Sequence, residues 1–356
     1  MGDGGPEHLG DLIVRATSRP KISRLHMALE NSRSHRFGLV LAQGFSHLSL
    51  ATAIEPLFIA NWISGRQLFS WSTLSSDGFA VTASSGIKTA VDCPLGTTEH
   101  FDIVLVLASF ESRQAATDSR LLKWLRWAER VGSEVGAIET GSEILAAAGL
   151  LDDHTAPTHW YNIEGMRERY PDANVTDTLY SLEGRRPVSA GASATLDMMV
   201  ALVARTAGQT LASEVAMHLL LRRRPPDERQ QSLDREPQPS MTRDPVARAR
   251  QIMATAIEEP KSCGEIARLV GVSERHLQRL FQHEHGSSVA QAYHLLRMER
   301  AHQLVQQTDL SITEVSVACG FASLEVFSRT YRKAFGVSPS RDRRQSLDSS
   351  VFRRTR

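Results

Sequence analysis

The feature that most narrows what this chain can fold into is a device that occurs twice near its C-terminal end. The first copy, SCGEIARLVGVSERHLQRLF, runs from Ser262 to Phe281, and the second, SITEVSVACGFASLEVFSRTY, from Ser311 to Tyr331. Ser262 with Glu265, and Ser311 with Glu314, fit a capping box. In that box the serine oxygen accepts from the third helical N–H while the acidic side chain reaches back to the first residue. Gly271 and Gly320 supply the turn, where the missing Cβ permits a left-handed backbone, and Ser273 and Ser323 are placed to cap the second helix of each pair. All but the last of these landmarks repeat at an offset of 49, and the last at 50, so the second turn carries one extra residue.

The second helix of each pair has two unlike faces. At about 3.6 residues per turn, Leu277, Leu280 and Phe281 share one side and should pack inward, leaving Arg275, Gln278, Arg279 and Gln282 opposite. In the second copy Phe327, Thr330 and Tyr331 point in, while Glu325, Ser328, Arg329 and Arg332 point out below Ser323. Arginine can grip guanine bidentately, glutamine can grip adenine, and glutamate can accept from cytosine N4. These polar faces therefore carry base-reading chemistry. A single such helix is equally well a solvated surface helix, but duplication of caps, turn and polar face together argues against that alternative.

These residues resemble the DNA-binding domain of AraC/XylS-type transcription regulators, most specifically over GFASLEVFSRTYRKAFGVSP, Gly320 to Pro339. The resemblance implies two helix-turn-helix units joined by a long helix, expected at Val289 to Gln306. The family usually places an aromatic residue shortly after that proline, whereas Ser340, Arg341 and Asp342 stand here, which puts the terminal packing in question. Two recognition helices in one chain would enter major-groove faces about 34 Å apart, one turn of the duplex. Charge agrees: from Arg243 onward 18 Lys/Arg face 12 Asp/Glu, a surplus of +6, against a whole-chain charge of +1 that leaves the rest at −5. Near-neutrality hides a basic part suited to phosphates and an acidic part that avoids them.

With 356 residues the chain can hold two domains, each with its own core. No apolar run approaches the ~20 residues that span a bilayer. The stretch from Asp11 to Ile22 includes Arg15, Arg19 and Lys21, unlike a secretory leader. Cys93, Cys263 and Cys319 are too few and too scattered for a disulfide framework or a zinc site, so a cytoplasmic protein without cofactor or metal is expected. Residues 1–35 read as a flexible N-terminal extension, within which Met27 offers a second start. Residues 36–221 read as one domain, 222–242 as a linker with four prolines and few apolar residues, 243–345 as the DNA-binding domain and 346–356 as a flexible tail.

Within 36–221 apolar runs alternate with helical patterns. RFGLVLAQGF, Arg36 to Phe45, reads as a buried strand, followed by a helix over Leu50 to Ile63 with Pro56 in its first turns. Strands are expected within Gly65 to Ser76 and over Phe79 to Ser84, and Phe101 to Ala108 has the continuous apolar run of a parallel strand covered on both faces. Ser119 to Val131 reads as an amphipathic helix with Leu121, Leu122, Leu125 and Trp127 inward. Ser133 to Gly141 gives a strand and sharp turn, and Ser142 to Leu151, Ser193 to Thr206 and Thr210 to Leu221 give helices. The alternation predicts an α/β fold with an open, mostly parallel sheet flanked by helices, plus an all-α C-terminal domain.

Gly136 to Trp160 resembles the nucleophile-elbow region of PfpI-type, class I glutamine amidotransferase-like domains; the match takes in GFSHLSLATAIEPLFIANW near the start. Regulators that join this domain to an AraC-type domain form the GlxA-like group, and the joint resemblance spans all but the N-terminal extension. Enzymes of that superfamily carry cysteine at the strand-to-helix turn, where a helix N-terminus lowers the thiol pKa. Glu139 holds the matching position, Ser49 stands where an acidic partner is expected, and His159 matches the family histidine. A carboxylate cannot replace a thiolate in amide chemistry, so the resemblance implies a non-catalytic pocket. The following helix start should keep Glu139 ionised, to attract a small cation. Trp160 with Phe45 or Phe110 could add aromatic faces, and Ser109 and Thr140 sit at the strand ends. Against this stand three plainer readings: Glu139 as a helix cap, His159 as a hydrogen-bonded structural residue and Trp160 as a core residue.

The expectation is a sequence-specific regulator of transcription, an activator by the family's usual mode. It should be controlled by a small amine, quaternary ammonium compound or amino-acid derivative. Its expected partners are double-stranded promoter DNA, RNA polymerase and a second copy of itself, with no membrane. The competing reading is a PfpI-like hydrolase or amidase with an attached DNA-binding domain.

Overall fold

Ile103–Ala108 contains no polar side chain, so it can lie only where both sheet faces are covered. The computed structural model describes residues 34–96, 100–109, 112–230 and 244–347 and places that strand centrally. In chain order the first elements are β1 (His35–Leu41), α1 (His47–Ser64), β2 (Phe69–Ser75), the short β3 (Val81–Thr82), β4 (Lys88–Thr89) and β5 (Cys93–Pro94), and β6 (Ile103–Ala108). They are followed by α2 (Ser112–Ala115), α3 (Ser119–Arg130), β7 (Glu134–Glu139), α4 (Gly141–Ala147), β8 (Thr155–Pro157), α5 (Ile163–Arg169) and β9 (Asn174–Thr176). The α/β part closes with β10 (Tyr180–Ser181), β11 (Val188–Ser189), α6 (Ser193–Ala207) and α7 (Gln209–His218). The seven-stranded sheet runs β10-β11-β7-β6-β1-β2-β5, parallel throughout except for β10. Alternate residues feed two cores. Phe37, Leu39, Leu105 and Leu107 pack with residues of α1, α6 and α7, while Val40, Val104 and Val106 pack with residues of α3, α4 and α5.

Several local expectations are corrected. Pro56 sits well inside α1 rather than in its first turns. Only Val81–Thr82 of the Phe79 to Ser84 stretch is strand, and it pairs with β4 outside the main sheet. On α3 the inward aromatic is Trp124, 8% exposed, while Trp127 is 41% exposed. The start of the expected linker is ordered. Arg224 donates from its backbone and guanidinium to the buried carboxylate of Asp197, and Gln230 is buried and hydrogen-bonded on both sides of its amide. A buried carboxylate needs a charge-assisted partner, and that local demand outweighs a composition that favours disorder. Residues 231–243, the extension before Ser34 and the tail after Leu347 lie outside the described residues.

The helical part consists of α8 (Pro245–Thr255), α9 (Cys263–Val270), α10 (Glu274–His285), α11 (Val289–Gln307), α12 (Ile312–Ala318), α13 (Leu324–Phe335) and α14 (Pro339–Leu347). Both expected capping boxes form, and a third, Ser288 with Gln291, opens α11. The joining helix serves two small cores. Val289, Tyr293 and Leu296 pack with Leu277 and Phe281, and Met298, Ala301, Leu304 and Val305 pack with Phe327 and Tyr331. Where an aromatic residue is usual after the proline, Asp342 is buried instead. It accepts from the Tyr331 hydroxyl at 2.6 Å and from Gln306 Nε2 at 3.3 Å, and lies 3.0 Å from His302 Nδ1. Burial, with that carboxylate beside it, pushes the Tyr331 phenol far up.

Replacing Ser262, Ser288 or Ser311 by alanine should each lower unfolding stability by about 1 kcal/mol in denaturant titration. Asp342→Ala should cost more, about 1–3 kcal/mol, because it strands buried donors rather than one helix-end N–H.

Candidate functional site

The candidate site is built where β7 ends. Register sets Ala108 of β6 beside Glu139, so the residues that follow these two strands meet at one edge of the sheet. Glu139 has φ +63°, a left-handed backbone that costs a residue with a Cβ about 1–3 kcal/mol and is found mostly at functional turns. Across from it Gly191 approaches so closely that an added Cβ would lie 2.7 Å from the Glu139 Cβ, and the neighbouring Ala192 is itself at φ +47°. Two strained turns are therefore pressed together, and only glycine fits between them.

Both carboxylate oxygens of Glu139 are engaged. Ser49 Oγ, in the first turn of α1, donates to Oε2 at 2.9 Å, and Ser109 Oγ donates to Oε1 at 2.6 Å. Ser142 and Thr158 hydroxyls donate to its backbone carbonyl at 3.2 and 3.5 Å. Thr140 Oγ1 donates to the Ser109 carbonyl at 2.5 Å, tying the ends of β6 and β7 together. Burial pushes the Glu139 carboxyl up, against the hydrogen bonds from Ser109 and Ser49, which pull it down.

Among the described residues no arginine, lysine or histidine pairs with Glu139. His159 does not bond to it. Its Nδ1 instead accepts from the Tyr161 N–H at 3.4 Å, its ring lies against Trp160, and burial lowers its pKa, favouring the neutral form. Trp160 is half-buried and packs partly on the core, and its backbone N–H donates to Gln230 Oε1 at 2.9 Å. Gln230 was not foreseen from sequence; it also donates to the Thr158 carbonyl at 2.7 Å and so fixes the loop that carries His159 and Trp160. Phe45 is fully buried in the core against His47, which corrects its expected place on a pocket wall. Phe110 lies outside the described residues. The three cysteines sit elsewhere, in β5 and in the helical part. Among the described residues no group of three or more His, Cys, Asp or Glu gathers to hold a metal, and no helix is long and apolar enough to cross a membrane.

The second candidate site is the pair of polar helix faces. On α10, Arg275, Arg279 and Gln282 are exposed and line a shallow depression with Ser273, His276 and His283. Gln278 lines the same depression, and its Oε1 accepts from the Val289 N–H at 3.2 Å, helping to cap α11. On α13, Glu325, Arg329 and Arg332 are exposed, Ser328 is half-buried, and Ser323 accepts from the Val326 N–H as the helix cap.

The DJ-1/PfpI family matches residues 39–205, and a helix-turn-helix domain family matches residues 266–345. The HTH-type transcriptional regulator CdhR of Pseudomonas aeruginosa is 38% identical over 310 residues, 87% of this chain and 92% of its own length. The HTH-type transcriptional regulator GlxA of Rhizobium meliloti is 34% identical over 324 residues, 90% of this chain and 99% of its own length. A ThiJ/PfpI family protein from Pseudomonas syringae shares the fold, with a TM-score of 0.52 at 18% identity over 72% of this chain and 99% of that one. The chain thus belongs to the DNA-binding HTH-type transcriptional regulators that join a DJ-1/PfpI domain to an AraC-type helix-turn-helix domain.

Proposed function

We propose that the α/β domain is a non-catalytic receptor for a small organic cation and that its occupancy sets the regulator's action at promoters, as an activator. The observation that carries this reading is a half-buried carboxylate, Glu139, with two hydroxyl donors and no cation beside it among the described residues. Two donors on two oxygens suit the ionised form, since a protonated carboxyl would have to donate one bond itself. An ionised group removed from water without a counter-charge is costly, and an entering amine or quaternary ammonium group offsets that cost. We assign the aromatic face of Trp160 to a cation–π contact with the ligand, worth about 0.5–2 kcal/mol. The superfamily's thiolate chemistry has no nucleophile at this turn, because Glu139 stands in its place.

Arg275, Arg279 and Gln282 on α10 and Glu325, Ser328, Arg329 and Arg332 on α13 are the residues we assign to DNA, with the helix N-termini at Ser273 and Ser323 facing the duplex. RNA polymerase contact and pairing of two copies through the α/β domain complete the proposal; both follow from the resemblance to the family.

Titration calorimetry with glycine betaine, carnitine and arginine should find a binder among these compounds, and Glu139→Gln should abolish its heat. Binding of a permanently charged ligand needs ionised Glu139, whose pKa is raised by burial. Affinity should therefore be full at neutral pH and fall on acidification, beginning above the range of an ordinary carboxylate. A pH-independent affinity would remove Glu139 from the account. Arg279→Ala and Arg329→Ala should each cost about 1–3 kcal/mol at the cognate promoter and relax preference there. Equal weakening on all sequences in a fluorescence anisotropy assay would make them phosphate contacts.

A further inference from the structure

The end of α11 is seated on the α/β domain, and the seat is made by the segment that follows the pocket loop. Tyr161, next to Trp160, donates its hydroxyl to Gln306 Oε1 at 2.7 Å, and its carbonyl accepts from Gln303 Nε2 at 3.3 Å. Gly165 in α5 lies so close that an added Cβ would be 2.0 Å from the Gln307 carbonyl. Arg169, at the end of α5, donates to that same carbonyl at 2.6 Å. Charged pairs ring the contact: Arg300 with Glu164 at 3.5 Å and Arg113 with Asp309 at 2.9 Å.

Two connections lead from this seat back to Glu139. Arg169 forms an ion pair with Glu143, a carboxylate only 1% exposed, whose other oxygen accepts from Ser112 Oγ at 2.7 Å. Glu143 lies in α4, one turn beyond Glu139, and its N–H donates to the Thr140 carbonyl at 3.0 Å. Ser112 follows closely on Ser109, and its N–H donates to the Ser109 carbonyl at 3.2 Å. One loop therefore supplies a serine to each carboxylate of the same turn. A third connection leads outward, from Tyr161 through Gln306 to Asp342 and then to the Tyr331 hydroxyl in α13.

We propose that this seat is the surface through which the α/β domain controls the second helix-turn-helix unit. Arg169 acts as the latch between Glu143 and the end of α11, and Tyr161 as the link to the base-reading helix. Ser109 cannot give its hydroxyl to a ligand without loosening Glu139, and the same loop holds Glu143 through Ser112. Movement at Glu139 is thereby handed to Arg169, whose guanidinium binds both Glu143 and the Gln307 carbonyl. The buried ion pair makes this an all-or-none contact, because breaking one partner of such a pair leaves a charge stranded out of water. The proposal takes from the receptor reading only its input; the seat itself exists without ligand.

Hydrogen exchange of the full chain without ligand tests it. Wild type is compared with Arg169→Gln, Ser112→Ala, Tyr161→Phe and Gly165→Ala, none of which alters Glu139, Ser49 or Ser109. Gly165→Ala and Arg169→Gln should speed exchange in the last two turns of α11 at least fivefold, and Tyr161→Phe should do so in α13, while amides of β6 and β7 keep their protection. Ser112→Ala should reproduce the Arg169→Gln pattern, and Arg169→Lys should restore part of it. If Gly165→Ala also loses protection in β6 and β7, that variant is misfolded, and Arg169→Gln with Ser112→Ala decide the matter. Unchanged exchange in α11 and α13 with an intact sheet overturns the proposal, whether or not any cation binds at Glu139.

Discussion

An ionisable group pulled from water must be given a partner or give up its charge, and the α/β domain is arranged around one carboxylate for which that demand is only half met. Glu139 is held at a left-handed turn, pressed by Gly191 and clasped by Ser49 and Ser109 from two other parts of the chain. The hydroxyls satisfy its lone pairs without neutralising it. The parallel sheet makes this possible, because strands running the same way bring the residues after β6 and β7 to one edge. Strain, burial and missing counter-charge fall on the same residue. That coincidence is the ground on which the proposed receptor role rests.

The same economy recurs at other buried carboxylates, each with its own partners. Asp197 receives Arg224, Glu143 receives Arg169, and Asp342 receives the Tyr331 hydroxyl with His302 and Gln306 nearby. Each of these fixes a junction: the chain leaving α7, the seat of α11, and the packing of α13 on α14. Glu139 is set apart from them by lacking any positive partner among the described residues. Where the other carboxylates finish a piece of architecture, this one is left without a counter-charge among the described residues.

Much of this was legible in the sequence because the relevant signals are local. Ser262 with Glu265 and Ser311 with Glu314 are three residues apart, and their boxes form as the spacing predicts. The apolar run of β6 and the alternation of strands and helices give the parallel sheet for the same reason. Glu139 and Ser49 were found through motif resemblance, and they meet. What sequence missed depends on distant partners. Gln230 lies in a stretch whose composition argues for disorder, yet it binds a loop some seventy residues earlier. Gln278 sits on the polar face of its helix, and its Oε1 also accepts from the start of α11. Phe45 was assigned to the pocket from its place in the chain, while its ring turns into the core. Periodicity states which face a residue occupies, and it cannot state which neighbour that face meets.

In the proposed mechanism a charge at one end of the sheet governs base reading at a helix far along the chain. Its most direct test is the affinity of the full-length protein for a promoter fragment at fixed moderate salt, measured with and without a saturating trimethylammonium ligand, in wild type and in Glu139→Gln. The account predicts that the ligand changes the wild-type affinity at the cognate fragment and leaves random DNA unaffected, and that the variant gives one affinity in both conditions. Promoter affinity indifferent to ligand in wild type, or equally responsive in Glu139→Gln, would contradict it.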